Sequence, residues 1–192
     1  MRKIFALMLA LCLLVVPCFV NAESSDITYD FGDFTMTFPS DAYGSIADEI
    51  TDGVAFFMLY QHVDENAAFK PNLNVTWTKT YIPLDTVQPS DALAEIMTEA
   101  VAALEGQGVK ASNASALDAS MDTLNGKAAL SAVYSMDVDY SGIGADLKMT
   151  LYCAQAIISE KNLGTYTFTI TTDDLTTCQP LMDIVNTVAW KK

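Results

Sequence analysis

Asn125-Gly126 divides two long runs in which apolar and polar residues alternate, and it makes the second half of the chain antiparallel sheet. An Asn-Gly pair readily takes the left-handed conformations that a two-residue hairpin turn requires. Alternation sends successive side chains to opposite faces of a strand. The pattern predicts strands at 115–124 and 127–140, a turn at Ser141-Gly142-Ile143-Gly144, a strand at 146–158, a turn at 159–164 and a strand at 165–171. Leu130, Ala132, Tyr134, Met136 and Val138 form the expected inner face of one strand. Leu147, Met149, Leu151 and Cys153 form that of the next, and Tyr166, Phe168 and Ile170 that of the last. The other face, rich in Thr, Ser and Ala, is expected to face outwards.

The first half supplies more strands. Residues 27–31 and 34–38 flank a Gly32-Asp33 turn, and Phe34, Met36 and Phe38 alternate with Thr35 and Thr37. Pro39 ends this pairing because it has no N–H to donate. Residues 40–52 suggest at best a short helical turn. Residues 54–63 are apolar on both parities, as in a strand covered on both faces. Residues 73–80 alternate again, with Leu73, Val75 and Trp77 on one face.

Two helices complete the inventory. In 90–106, Leu93, Ile96, Met97, Ala100, Val101 and Leu104 share one face, with Ser90 as expected N-cap. The second is expected from Pro180 to Trp190, burying Leu181, Ile184, Val185 and Val188, with Lys191 and Lys192 beyond its C-terminal end. Met58, Met97, Met136, Met149 and Met182 are expected to fill core gaps.

The chain begins as a secretory leader does. Arg2 and Lys3 precede an apolar run at 4–16, Pro17 breaks it, and Val20-Asn21-Ala22 offers small residues for cleavage. The run is shorter than the roughly 20 residues of a spanning helix. Neither Cys12 after Leu11 nor Cys18 after Pro17 fits a lipid-attachment site. The expectation is a signal peptide at 1–22, cleavage after Ala22, and one secreted or extracytoplasmic domain at 23–192 without a stable membrane span.

Charge and cysteine content then narrow the function. The chain carries −14, and loss of Arg2 and Lys3 leaves −16, which repels nucleic acid and anionic membranes. Cleavage leaves Cys153 and Cys178. An oxidising compartment permits a disulfide closing a loop of about 24 residues, worth ~3 kcal/mol. The alternative is two buried thiols acting as small hydrophobes. Two cysteines and His62 have no usual zinc spacing.

The order of elements, with Phe34-Thr35-Met36-Thr37-Phe38-Pro39, Pro71-Asn72-Leu73-Asn74-Val75, Leu124-Asn125-Gly126-Lys127-Ala128-Ala129 and Tyr166-Thr167-Phe168-Thr169-Ile170-Thr171, resembles the PsbP-like superfamily, in the style of bacterial DcrB-like proteins. The resemblance covers roughly residues 34–190. It implies an α+β fold in which helices pack on an antiparallel β-sheet, a PsbP-like α/β/α sandwich. It also implies action by binding proteins. Members include an accessory subunit of the photosynthetic water-oxidising complex, a nuclear-import factor that binds a small GTPase, and bacterial envelope proteins. These motifs describe strands and turns, so no functional residue transfers.

Candidate sites follow from residue type. Asp137 and Asp139 share a strand face and, with Asp146, could gather calcium. No Asp/Asn-rich loop of fixed spacing supports this, so the expectation is solvated carboxylates and no metal or cofactor. His62 lacks a nucleophile and an orienting partner, and Ser120 and Ser131 lack a nucleophile-elbow context. Asn74 and Asn113 begin glycosylation sequons. The sequence therefore reads as a non-enzymatic binding or accessory protein with a protein partner at the cell envelope or outside. The partner would meet the uncovered Thr/Ser-rich sheet face or the rim at 141–144. The alternative is an extracytoplasmic carrier of a small ligand or metal ion.

Overall fold

The computed structural model describes residues 26–47, 49–60 and 67–191; the expected leader and His62 lie outside them. Strands β1 (Ile27–Asp30) and β2 (Phe34–Phe38) form the expected first hairpin. Gly32 turns it at φ +89°, and its N–H donates to the Asp30 carboxylate. Then come β3 (Tyr43–Ile46), β4 (Ala55–Tyr60), β5 (Asn72–Thr78) and the long helix α1 (Pro89–Gly106). The meander is β6 (Lys110–Leu124), β7 (Lys127–Asp139), β8 (Lys148–Glu160) and β9 (Gly164–Thr172). Helix α2 (Cys178–Val185) and the short β10 (Ala189–Trp190) close the chain. The seven-stranded sheet runs β3-β4-β5-β9-β8-β7-β6, antiparallel throughout, and a small sheet runs β1-β2-β10.

The fold is thus α+β, with helices packed on antiparallel sheets. Each face of the large sheet has its own core. On one face, α1 lays Leu93, Ile96, Ala100 and Leu104 on Leu130, Ala132, Tyr134, Met136 and Val138 of β7 and on Leu151, Cys153 and Ile157 of β8. On the other, the small sheet and α2 cover Leu73 and Val75 of β5 and Tyr166, Phe168 and Ile170 of β9. Phe34 is fully buried there, its ring 5.1–6.4 Å from those of Phe31, Phe56, Tyr166, Phe168 and Trp190.

This arrangement corrects the single inner face expected of the meander. Ile158, Ala156 and Ala154 of β8 pair with Tyr166, Phe168 and Ile170, so these point away from α1. Ile157 of β8 pairs with Leu130, so the inner face of β7 points towards α1. The threonines between the β9 hydrophobics are consequently buried instead of facing outwards.

The ends of elements show where tertiary contacts outweigh local pattern. Helix α1 begins at Pro89, which suits the first helical position; its cap is Gln88, without a side-chain bond, and Ser90 lies inside. The final helix stops at Val185. Beyond it, the Thr187 hydroxyl donates to the Ile184 carbonyl (2.6 Å) and accepts from the N–H of Thr37 (2.9 Å), fastening the helix end to β2. Ala189 and Trp190 then pair with Thr35 and Phe34. Lys191 accordingly sits on the small sheet, with Nζ 2.6 Å from the Asp30 carboxylate. Residues 43–46, expected as a helical turn at most, form edge strand β3.

Candidate functional site

The sequence-derived acidic candidates lie at one end of the meander. Asp137 on β7 accepts from Asn113 Nδ2 (2.8 Å) and Thr150 Oγ1 (2.7 Å). Those two bonds hold its carboxyl below the usual range. Asp139 accepts from the N–H of Ser141 (2.9 Å) and pairs with Lys148 (3.2 Å), and these contacts, the Ser141 bonds first, lower its pKa to about 2. Asp146 is exposed in the following loop. The oxygens of Asp137 and Asp139 thus serve to fasten β6, β7, β8 and the turn together. Among the described residues no acidic, Cys or His cluster is arranged to hold a metal ion.

The turn rim is held rather than extended. Residues Tyr140–Ile143 form one 3-10 turn capped by Asp139. A Cβ on Gly142 would lie 2.0 Å from the Gly108 carbonyl oxygen, so the rim packs backbone to backbone on the exit of α1. Cys153 and Cys178 are not joined: Cys153 is buried in the α1 core, and Cys178 packs on the opposite core across the sheet. Burial pushes the Cys178 thiol pKa up. Asn74 is buried, whereas Asn113 is exposed, with φ 52° beside a register shift in β6. Ser120 and Ser131 are cross-strand partners on β6 and β7.

That serine pair marks an uncovered shelf. The small sheet and α2 cover β4, β5 and β9, but towards β6 the same face opens. Ser112, Ser115, Asp118 and Ser120 of β6 lie beside Asp137, Ser135, Val133 and Ser131 of β7. The β7 members of this face are half-buried and the β6 members largely exposed. β6 is also the edge of the large sheet, 15 residues long. Its register shifts fall between Ser112 and Ser115 and between Ala116 and Asp118, leaving 118–124 regularly paired on one side. Leu117 and Met121 on this strand are 50% and 42% exposed, an unusual placement for large apolar side chains on an edge.

A second feature lies inside, where sequence reasoning placed an outer surface. On the face of β5 and β9 turned away from the small sheet, Asn72, Asn74, Thr76 and Thr78 pair with Thr171, Thr169, Thr167 and Thr165. Gln155 of β8 continues the row beside Thr169. All nine are buried, with Thr167 and Thr169 fully so. Thr165 is bonded to the Thr80 carbonyl and the Ser159 hydroxyl. The oxygens Thr76 Oγ1, Thr78 Oγ1, Thr167 Oγ1, Thr169 Oγ1, Thr171 Oγ1 and Gln155 Oε1 have no hydrogen-bond partner among the described residues. A buried polar group left so costs about 1–3 kcal/mol, and six together rival the net stability of a domain. Alternation does signal this seam, since Thr and Asn occupy every second position of β5 and β9. It shows only that one face is polar, not that this face is covered.

Near the seam, a pocket of about 260 Å3 opens between α1 and the segment that precedes it. Leu130 and Ile157 line it beside Ile82, Leu84, Val87 and Ala92. Ile157 pairs with Thr167, so the pocket comes within one strand of the seam.

No protein-family model and no curated protein sequence matches this chain. Solved structures do resemble it. The solution structure of cyanobacterial PsbP from Synechocystis is 14% identical, with a TM-score of 0.62 over 91% of this chain and 97% of that one. The Ran-binding protein Mog1p of Saccharomyces cerevisiae is 14% identical, with a TM-score of 0.48 over 88% of this chain and 96% of that one. LpqN of Mycobacterium tuberculosis, a protein involved in cell envelope biogenesis, is 14% identical, with a TM-score of 0.40 over 86% and 91%. The first of these likenesses establishes that the chain has a PsbP-like fold.

Proposed function

We propose that this chain is an extracytoplasmic, non-enzymatic binding protein of the PsbP-like type, in the style of bacterial DcrB-like proteins. In this reading residues 1–22 are removed and 23–192 act as one domain through contacts with another protein. The uncovered shelf of β6 and β7, with the β6 edge, carries the proposal. The β6 edge combines unpaired backbone groups with exposed Leu117, at the bulge, and Met121, on the face opposite the serine shelf, the elements used when a partner adds a strand. Asp118 and Asp122 on the same strand favour a basic partner segment. Among the described residues no helix is long and apolar enough to cross a membrane.

A photo-crosslinking side chain at Ser120 or Ser135, compared with one at Thr98 on the exposed side of α1, tests this in the producing cell. The expected result is one protein adduct shared by Ser120 and Ser135 and missing at Thr98. No adduct, or equal adducts at all three, overturns the reading. A second reading, carriage of a small ligand, is favoured by the pocket of about 260 Å3 between α1 and the segment before it.

A further inference from the structure

We propose that the pocket between α1 and the segment before it binds a small organic cation with an apolar body, such as an arylalkyl amine. This inference rests on the ligand-carrying reading and gives it a place and a chemistry; it is independent of the β6 shelf. The lining draws on the large sheet, where Leu130 of β7 and Ile157 of β8 are cross-strand partners. Ile82 and Leu84 of the preceding segment join them, and all four belong to the buried core on the α1 side, which fixes the walls. The Ile82 N–H donates to Ser159 Oγ (2.7 Å), tying that segment to β8. Ala92 of α1 also lines the pocket, and its short side chain leaves the space open; Ile96, one turn on, is buried in the core. Apolar walls give water few hydrogen-bond partners, so an apolar group gains by displacing it. About 260 Å3 accommodates roughly ten non-hydrogen atoms at the density of a protein interior.

The charge around the pocket selects the ligand. Among the described residues its lining includes two carboxylates, Asp91 and Glu95, and no basic side chain. Both are exposed, so they stand on the solvent side of an apolar hollow. They are four residues apart on α1, where like charges are neighbours and repel. α1 has no Lys or Arg from Pro89 to Gly106, and neither carboxylate joins an ion pair among the described residues. Lys161 lies against the preceding segment, but its Nζ sits over the Tyr81 ring at 5.9 Å and it does not line the pocket. A ligand ammonium beside Asp91 and Glu95 relieves their repulsion while its apolar body leaves water. An anion meets the same two carboxylates, and a neutral ligand gains from the apolar walls alone.

Three probes with one aromatic body and different heads separate these cases: 2-phenylethylamine, 2-phenylethanol and phenylacetate. Each is titrated at low salt to about 10 mM, since molecules of this size bind weakly, into the full secreted chain. The readout is the methyl NMR signals of Ile82, Leu84, Leu130 and Ile157. The expected result is saturable shifts at these methyls, with the amine bound at least about fivefold tighter than the alcohol and phenylacetate weakest. In Asp91→Asn/Glu95→Gln the amine is expected to fall to within about twofold of the alcohol, whose affinity is unchanged. Ala92→Leu, which fills the pocket, is expected to weaken amine and alcohol alike by about tenfold or more. If Ala92→Leu does not fold, Val87→Phe fills the pocket from the segment before α1 and carries the same expectation. Affinity kept in the filled variant overturns the site, and so do shifts as large at Ile170 in the opposite core. An alcohol bound as tightly as the amine, or a double variant that keeps the preference, overturns the cation and leaves ligand carriage standing. If no probe moves the lining methyls, the proposal falls, and a native mass spectrum of protein from the producing cell decides the wider reading. A bound mass then keeps ligand carriage at another place, and no bound mass removes both.

Discussion

β9 is buried on both sides, yet its two faces obey different rules. Towards the small sheet it presents Tyr166, Phe168 and Ile170, which enter a cluster of aromatic rings in edge and tilted contacts. There even the one polar atom is matched, the Tyr166 hydroxyl donating to Asp33 at 2.6 Å. Burial, then that bond, raises the phenol pKa. Towards α1 and the segment before it, the same strand presents Thr165, Thr167, Thr169 and Thr171, three of them with hydroxyls unmatched among the described residues. Burial is equal, so burial alone does not tell a stabilising face from a costly one. The aromatic face gains from each atom removed from water, while the threonine face bears a desolvation cost that a well-packed apolar layer would avoid.

The sharpest way to break this comparison is at Phe34. Its ring is fully buried and meets five others, so Phe34→Ala is expected to destabilise the fold by about 3–5 kcal/mol. Urea unfolding followed by tryptophan fluorescence checks it, because the Trp190 ring lies tilted against Phe34 with centroids 5.2 Å apart. A loss below about 1 kcal/mol, within the range of many single substitutions, would deny the aromatic face its role. The opposing face should answer with the other sign, Thr169→Val being neutral or stabilising in the same measurement.

A smaller effect is expected where the hairpin meets the chain end. Asn125 holds φ 49°, and its Nδ2 donates to the Asn186 carbonyl at 3.0 Å and also contacts the Val188 carbonyl. It therefore shapes the β6–β7 turn and ties that turn to the segment after α2. Asn125→Ala is expected to cost about 1–2 kcal/mol, combining left-handed strain with a lost hydrogen bond. Asn125→Gly separates the two, since it restores the backbone and not the tie. Equal losses for both would place the whole effect in the tie.

Much of the fold was legible because local and tertiary demands agree. Asn125-Gly126, the stripe from Leu93 to Leu104 and the alternation in β7 each have a local cause, and each appears where expected. What was not legible depends on neighbours distant in sequence. Residues 110–114 lack apolar alternation and become strand by pairing with β7, as Lys110 does with Asp139. Ala189 and Trp190 continue a helical pattern but are captured by β2, 150 residues earlier in the case of the Thr187–Thr37 bond. The β9 threonines gave the right period and the wrong environment, because a polar face under cover and a polar face in water have the same spelling. Asp137 and Asp139 were rightly placed on one face, but their partners Asn113, Thr150, Ser141 and Lys148 are supplied by three different segments.

The acidic end offers a gentler test through pH. Asp139 has its pKa lowered from 3.8 to about 2, and Asp137 is lowered as well. A carboxyl whose folded pKa lies below its unfolded value binds fewer protons when folded. Its contribution is fully present above about pH 4 and fades as pH falls towards 2. Stability should therefore decline across that window, and Asp139→Asn should flatten the decline while leaving neutral-pH stability little changed, since the group is solvent-screened. Denaturation midpoints at pH 5, 3.5 and 2.5 provide the measurement, and an unchanged slope in Asp139→Asn would deny the turn its carboxylate cap.

The smallest expected effect returns to the two faces of the sheet. Cys153 lies in the α1 core and Cys178 on the core opposite, with the sheet between them. A bridge needs Cβ atoms about 3.5–4.5 Å apart on side chains that point towards each other. Two residues on opposite sides of one sheet do not meet that condition without breaking the pairing of β8 with its neighbours. The protein should therefore melt at the same temperature with and without a thiol reductant, and in the unfolded chain both Cys153 and Cys178 should react with a thiol reagent without prior reduction. A drop of several degrees on reduction, or an intact mass two hydrogens lower than the sequence requires, would mean that Cys178 crosses to the other side and that the two cores are not separate. An unchanged melting point leaves the stability of this fold to packing alone, carried by the aromatic face against the cost of the threonine face.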